Sequence, residues 1–126
     1  MNKLALALLL ILPATVSAAP SKPNPADFPL KVHIVSSASR MYITENGSLY
    51  TQILETVIDQ QPVELQGYSQ GVLALADYPA RISTKIHAPN HHPNTYDIYR
   101  GYDLLLPDGT TRTYSVTRLG PAPTNP

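Results

Sequence analysis

The sequence predicts an all-β domain, a small antiparallel sandwich or partly open barrel of six or seven short strands. Three observations predict it: apolar and polar residues alternate in short runs, turn residues separate those runs at regular spacing, and the chain beyond its first segment offers no credible long helix. The clearest stretch is Tyr96 to Leu119, two alternating runs joined by Pro107-Asp108-Gly109. Proline presets φ near −65° for the first turn position and glycine accepts φ > 0, so these residues predict a three-residue hairpin loop. In that register Leu106 faces Thr110, Leu104 faces Arg112, Tyr102 faces Tyr114 and Arg100 faces Val116. The larger apolar groups then mostly share one face, and a slip of one residue would scramble both faces.

Taken in order, residues 1–19 read as a cleavable signal peptide. Lys3 supplies the positive start, Leu4 to Leu12 form the apolar run, and Val16-Ser17-Ala18 gives a small-residue exit. The run is about half the ~20 residues that a membrane-spanning helix needs. Residues 20–27 form a Pro-rich tether, residues 28–119 a single domain, and residues 120–126 a disordered Pro-rich tail; prolines lack the donor that helices and central strands require. Cleavage leaves roughly 108 residues, enough for one domain that buries about 65% of its unfolded surface.

Leu30, Val32 and Ile34 alternate with Lys31 and His33 as a first strand, closed by a Ser36-Ser37-Ala38-Ser39 loop. Met41-Tyr42-Ile43 begins a second strand, and Glu45-Asn46-Gly47-Ser48 is a turn. Leu49 to Asp59 fits either a helical stripe or a strand, and its Thr51, Ile53, Thr56, Val57 and Ile58 favour the strand. Pro62-Val63-Glu64-Leu65 follows at hairpin distance. Gly67 to Gly71 is a loop and Val72 to Leu75 a short strand or helical turn. Ala80 to Ile86 is a strand that Pro79 places at a sheet edge. His87 to Thr95 is a polar connection into the final hairpin.

Asp77-Tyr78-Pro79-Ala80-Arg81-Ile82 and Tyr102 to Gly109, together with Val32 to Ser37 and Val57-Ile58-Asp59, resemble a group of small secreted bacterial β-rich proteins of unassigned function. The resemblance covers most of the mature chain and implies secretion and β structure; it implies no activity. The chain departs from that pattern at Asp59-Gln60-Gln61, where a glycine is expected in the turn.

Composition excludes several functions. The formal net charge is +0, with nine Lys and Arg against nine Asp and Glu, and the charges are scattered. No basic stripe for nucleic acid or an anionic membrane surface is present. There is no cysteine, so neither disulfides nor thiol-attached lipid operate.

Gly67-Tyr68-Ser69-Gln70-Gly71 matches G-x-S-x-G and is similar to the nucleophile elbow of cutinase-like serine esterases, with Asp77 and then His87, His91 or His92 following in the order acid, histidine. Its context opposes that reading. The elbow needs a buried parallel strand before it and a helix after it, whereas Val63 to Gln66 alternates and Pro79 follows too soon. His87, His91 and His92, with Asp97, form a candidate metal cluster of non-diagnostic spacing, for which solvated loop histidines are the plainer reading. Tyr96, Tyr99 and Arg100 are candidates for an aromatic binding face for a sugar or peptide. Asn46-Gly47-Ser48 matches a glycosylation acceptor, meaningful only in a glycosylating secretory pathway.

The reading is an exported, secreted or periplasmic domain without cofactor. It is non-enzymatic and acts through its surface on an unknown protein, cell-envelope component or small molecule. The alternative is a small serine hydrolase using Ser69.

Overall fold

The computed structural model describes residues 22–88 and 96–121. The predicted signal peptide, His91, His92 and residues 122–126 of the tail lie outside the described residues. Among the described residues six strands form: β1 (Leu30–Thr44), β2 (Gly47–Ile58), β3 (Gln61–Gly67), β4 (Asp77–Ile82), β5 (Gly101–Leu105) and β6 (Thr111–Leu119), with a 3-10 turn at Pro25–Asp27 before them. All neighbours are antiparallel, in the order β1-β2-β3-β6-β5-β4, and β1 pairs with both β2 and β4. The expected sandwich or partly open barrel is therefore one ring-closed sheet.

Every strand contributes to the core, which contains Val32, Ile34, Leu54, Ile58, Val63, Leu65, Tyr78, Ala80, Tyr102, Leu104 and Tyr114. The residues alternate along each strand because successive side chains point to opposite faces. Outside the ring, polar pairs take over. Arg118 bonds Glu55 at 2.5 Å, and Thr117 Oγ1 donates to Glu64 at 2.8 Å. That Thr117 bond, with Arg118 nearby, holds the Glu64 carboxyl below its usual range.

The last hairpin has the predicted register: Leu104 opposes Arg112, Tyr102 opposes Tyr114, and Leu106 N–H donates to Thr110 O at 2.8 Å. Gly109 sits at φ +85°, as the turn requires. Leu49 to Ile58 resolves as strand, with Asp59 in the turn that follows, because β2 is held between β1 and β3 and alternates buried with half-exposed residues.

Four expectations need correction. Ser36 to Ser39 is not a loop, since β1 runs through it to Thr44; the register shift between Ile34 and Ser36 is a bulge that keeps the strand paired with β2. Val72 to Leu75 is neither strand nor helix. The fourth strand starts at Asp77 and stops at Ile82, not Ile86. Finally, Tyr96 to Arg100 precede β5 and are not part of a strand, although Arg100 O still accepts from Val116 N at 2.8 Å.

The turn lacking its expected glycine still forms. Asp59 and Gln60 connect β2 to β3 with φ +49° and +66°, the primed two-residue geometry that matches strand twist. Beyond β6, Gly120 is tied to β3, where its N–H donates to Pro62 O at 2.7 Å and its carbonyl accepts from Gln61 Nε2 at 3.1 Å.

Candidate functional site

One end of the ring gathers the β1–β2 turn, the loop 68–76, the start of β4 and the β5–β6 turn. Two features there have no counterpart elsewhere among the described residues. The first is an arm. β4 accompanies β1 only over Leu30–His33, and β3 accompanies β2 only as far as Gln52, so residues 40–44 and 47–51 pair with each other alone. This two-stranded ribbon projects about 17 Å at ~3.4 Å per residue.

Its faces follow from the pairing. Leu54 and Gln52 point inward, so Tyr50, its partner Met41, and Ile43 prolong the inward face past the mouth, while Tyr42 and Leu49 face out. Ile43 is 84% exposed and Met41 54%. Beside the arm, Leu73 N–H donates to Ser37 Oγ at 2.8 Å and Gln52 Nε2 donates to Gly71 O at 3.1 Å, anchoring the loop that exposes Tyr68, Val72 and Leu75. Seven of the thirteen exposed large apolar side chains among the described residues lie at this end.

The second feature is a cleft of about 530 Å³ between the segment at Lys22–Pro25, the start of β4 and the β5–β6 turn. Its origin is a missing donor. Ser83 N–H bonds Gly101 O on β5, so by the alternation of a strand the backbone of Arg81 and then Pro79 faces the same neighbour. Pro79 has no N–H, and the β4–β5 ladder ends one residue later, at Ala80 opposite Leu104. The expected sheet edge at Pro79 is not found, because β4 lies between β1 and β5 and Pro79 pairs with Lys31; only the pairing with β5 stops short of it. The parted strands leave Tyr78, Pro79, Leu105, Leu106 and Pro107 as walls, with Pro23 and Pro25 opposite.

Three charges line this cleft: Lys22, Asp77 and Asp108. Asp77 is occupied, with His33 Nδ1 at 2.6 Å and Lys31 Nζ at 3.9 Å. Asp108 makes no ion pair among the described residues. Its Oδ1 accepts from Thr110 Oγ1 at 2.6 Å and Thr110 N–H at 2.9 Å, bonds that hold its carboxyl below the usual range.

The sequence-predicted sites fall as follows. Ser69 lies half-buried in the loop after β3, Asp77 opens β4, and His87 is exposed beyond β4. Among the described residues no hydrogen bond joins the three; Asp77 meets His33 instead, a partner invisible in sequence because the two come together only through the β1–β4 pairing. Both glycines of the Ser69 motif have structural reasons, one of packing and one of backbone conformation. A Cβ at Gly67 would lie 2.7 Å from the Tyr114 ring, and Gly71 has φ +121°. No helix follows them, and the strand before them is antiparallel, the context an elbow does not have.

Of the histidine cluster only His87 is described; among the described residues no group of three His, Cys, Asp or Glu is placed to hold a metal. Tyr96, Tyr99 and Arg100 are exposed at the far end of the ring, where Tyr96 and Asp97 border a recess of about 270 Å³ over Val116–Leu119.

Two networks of buried polar groups lie within the domain. Asp103 accepts from Thr113 Oγ1 at 2.6 Å and Arg81 Nε at 3.1 Å, and Arg81 lies 4.5 Å over the Phe28 ring. Burial pushes the Asp103 carboxyl up, but the hydrogen bonds from Thr113, Ser83 and Arg81 outweigh it and the net shift is downward. Near the mouth, Tyr114 Oη donates to Gln52 Oε1, with Arg112 at 3.4 Å from both. Desolvation raises the Tyr114 hydroxyl. These groups satisfy one another and read as structural.

Comparison with protein-family models, with curated proteins and with solved structures returned no match. The class is set by the fold alone: a small, all-antiparallel, ring-closed β domain with a projecting two-stranded arm.

Proposed function

We propose that this chain is an exported, non-catalytic binding domain that receives an extended segment of a partner protein on the arm. The arm carries the reading. An isolated two-stranded ribbon is marginal in water, and this one shows two strand edges without a neighbouring strand, together with apolar Met41, Tyr42, Ile43 and Leu49 on its faces. A strand added to such an edge gains main-chain hydrogen bonds, while alternate side chains find the apolar faces. Arg40 and Glu45 are the charges that border it and leave the apolar centre uninterrupted. Export is supported by Lys3, the Leu4–Leu12 run and Val16-Ser17-Ala18.

A photo-crosslinking residue at Tyr42, in cells that export the protein, tests this. A discrete adduct is expected at Tyr42, abolished by Ile43→Lys and absent with the crosslinker at Tyr99. Equal labelling at both positions, or none at Tyr42, refutes it. Hydrolysis of a nitrophenyl ester that disappears in Ser69→Ala would overturn the non-catalytic assignment, and an unprocessed N-terminus on the mature protein would overturn export.

A further inference from the structure

We propose that the cleft between β4 and the β5–β6 turn is a separate ligand site that takes an aromatic ring bearing a cationic group. Four prolines line it, Pro23, Pro25, Pro79 and Pro107, with Leu105 and Leu106. Its volume of about 530 Å³ falls within the range that holds a small organic molecule. Proline rings and aromatic rings are a recurrent pairing: proline-rich segments dock on aromatic-lined grooves, and here the roles are exchanged, with the protein supplying the prolines.

Charge decides the rest of the ligand. Asp77 has its two basic partners, His33 and Lys31, already in place. Both hydrogen bonds from Thr110 to Asp108 fall on Oδ1, and Asp108 lines the cleft. Asp77 being compensated by Lys31 and His33, Asp108 is the acceptor that the cleft holds for an ammonium or guanidinium, with Lys22 as the cation that lines it. The site is independent of the arm, so either reading can fail alone.

Three probes separate the alternatives by amide NMR on the full mature chain: phenethylamine, 3-phenylpropionate and cyclohexylamine. Phenethylamine is expected to move the amides of Tyr78, Leu105, Leu106 and Gly109 saturably, with a dissociation constant on the order of millimolar for so few atoms. Phenylpropionate should bind about threefold more weakly, an exposed charge being worth little more. Cyclohexylamine should bind more weakly than phenethylamine. Asp108→Asn preserves the turn, since asparagine makes the same side-chain turn bond, and should abolish the preference for cation over anion while the ring still binds. Equal or tighter binding of phenylpropionate to the wild type, equal binding of cyclohexylamine, or no saturable shifts with phenethylamine would each overturn the proposal. These readings use the unaltered protein and stand whether or not the variant folds.

Discussion

Replacing Gln60 by glycine should stabilise the domain. Gln60 holds φ +66° in the two-residue turn between β2 and β3, a conformation that brings an L side chain's Cβ against the following carbonyl and costs ~1–2 kcal/mol. Glycine removes that cost but gives the unfolded chain more freedom, worth ~0.5–1 kcal/mol in the other direction. The side chain itself is exposed and makes no hydrogen bond among the described residues, so nothing else is lost. The substitution would also place an aspartate followed by a glycine at the two central positions, the favoured pair for this turn. The net gain is about 0.5–1 kcal/mol, or roughly 2–8 °C in Tm for a domain of this size. Urea unfolding and thermal melts measure it, with Gly109→Ala as the mirror experiment. Gly109 has φ +85° and open space around a new Cβ, so that change isolates the backbone cost and should destabilise by about 1 kcal/mol. If Gln60→Gly lowers stability while Gly109→Ala behaves as expected, the strain argument for this turn is wrong.

Further outcomes are expected from other parts of the molecule. Gly67→Ala drives a Cβ to 2.7 Å from the buried Tyr114 ring and should cost about 1–3 kcal/mol in urea unfolding. Leu104→Ala, at a fully buried position, should cost about 2–5 kcal/mol. Asp103→Ala strands Thr113 and Arg81 and should lower stability by roughly 1–3 kcal/mol at pH 7. The carboxyls of Asp103, Glu64 and Asp108 are all held low in the folded state, so their stabilisation is complete above the unfolded value near pH 4. It should be lost as pH falls through the folded values, and a pH series of melts that stays flat below pH 4 would contradict it. Ile43→Lys on the arm should leave stability within about 0.5 kcal/mol, because that side chain is exposed.

The β5–β6 hairpin was legible because its information is local: a Pro-Asp-Gly turn and a two-residue pattern fix the register without reference to the rest of the chain. The same logic read β2 as strand from its β-branched residues. It failed at Ser36 to Ser39, where small polar residues look like a loop; β2 supplies a long partner and a bulge absorbs the irregularity. It failed also at Tyr96 to Arg100, whose apolar spacing continues that of β5 although the strand begins only at Gly101. The Gly67–Gly71 motif misled for a related reason. A glycine required by the ring of a tyrosine on another strand is indistinguishable, in sequence, from one required by chemistry.

What the sequence determined by itself is the strand content and the register of the last hairpin, because each depends on neighbours along the chain. Only the tertiary structure decided that the sheet closes on itself, that His33 meets Asp77, that the first hairpin outruns its neighbours to become an arm, and that Pro79 opens a cleft. Those features depend on which strands lie side by side and how far each pairing extends, quantities set by packing between residues distant in the chain.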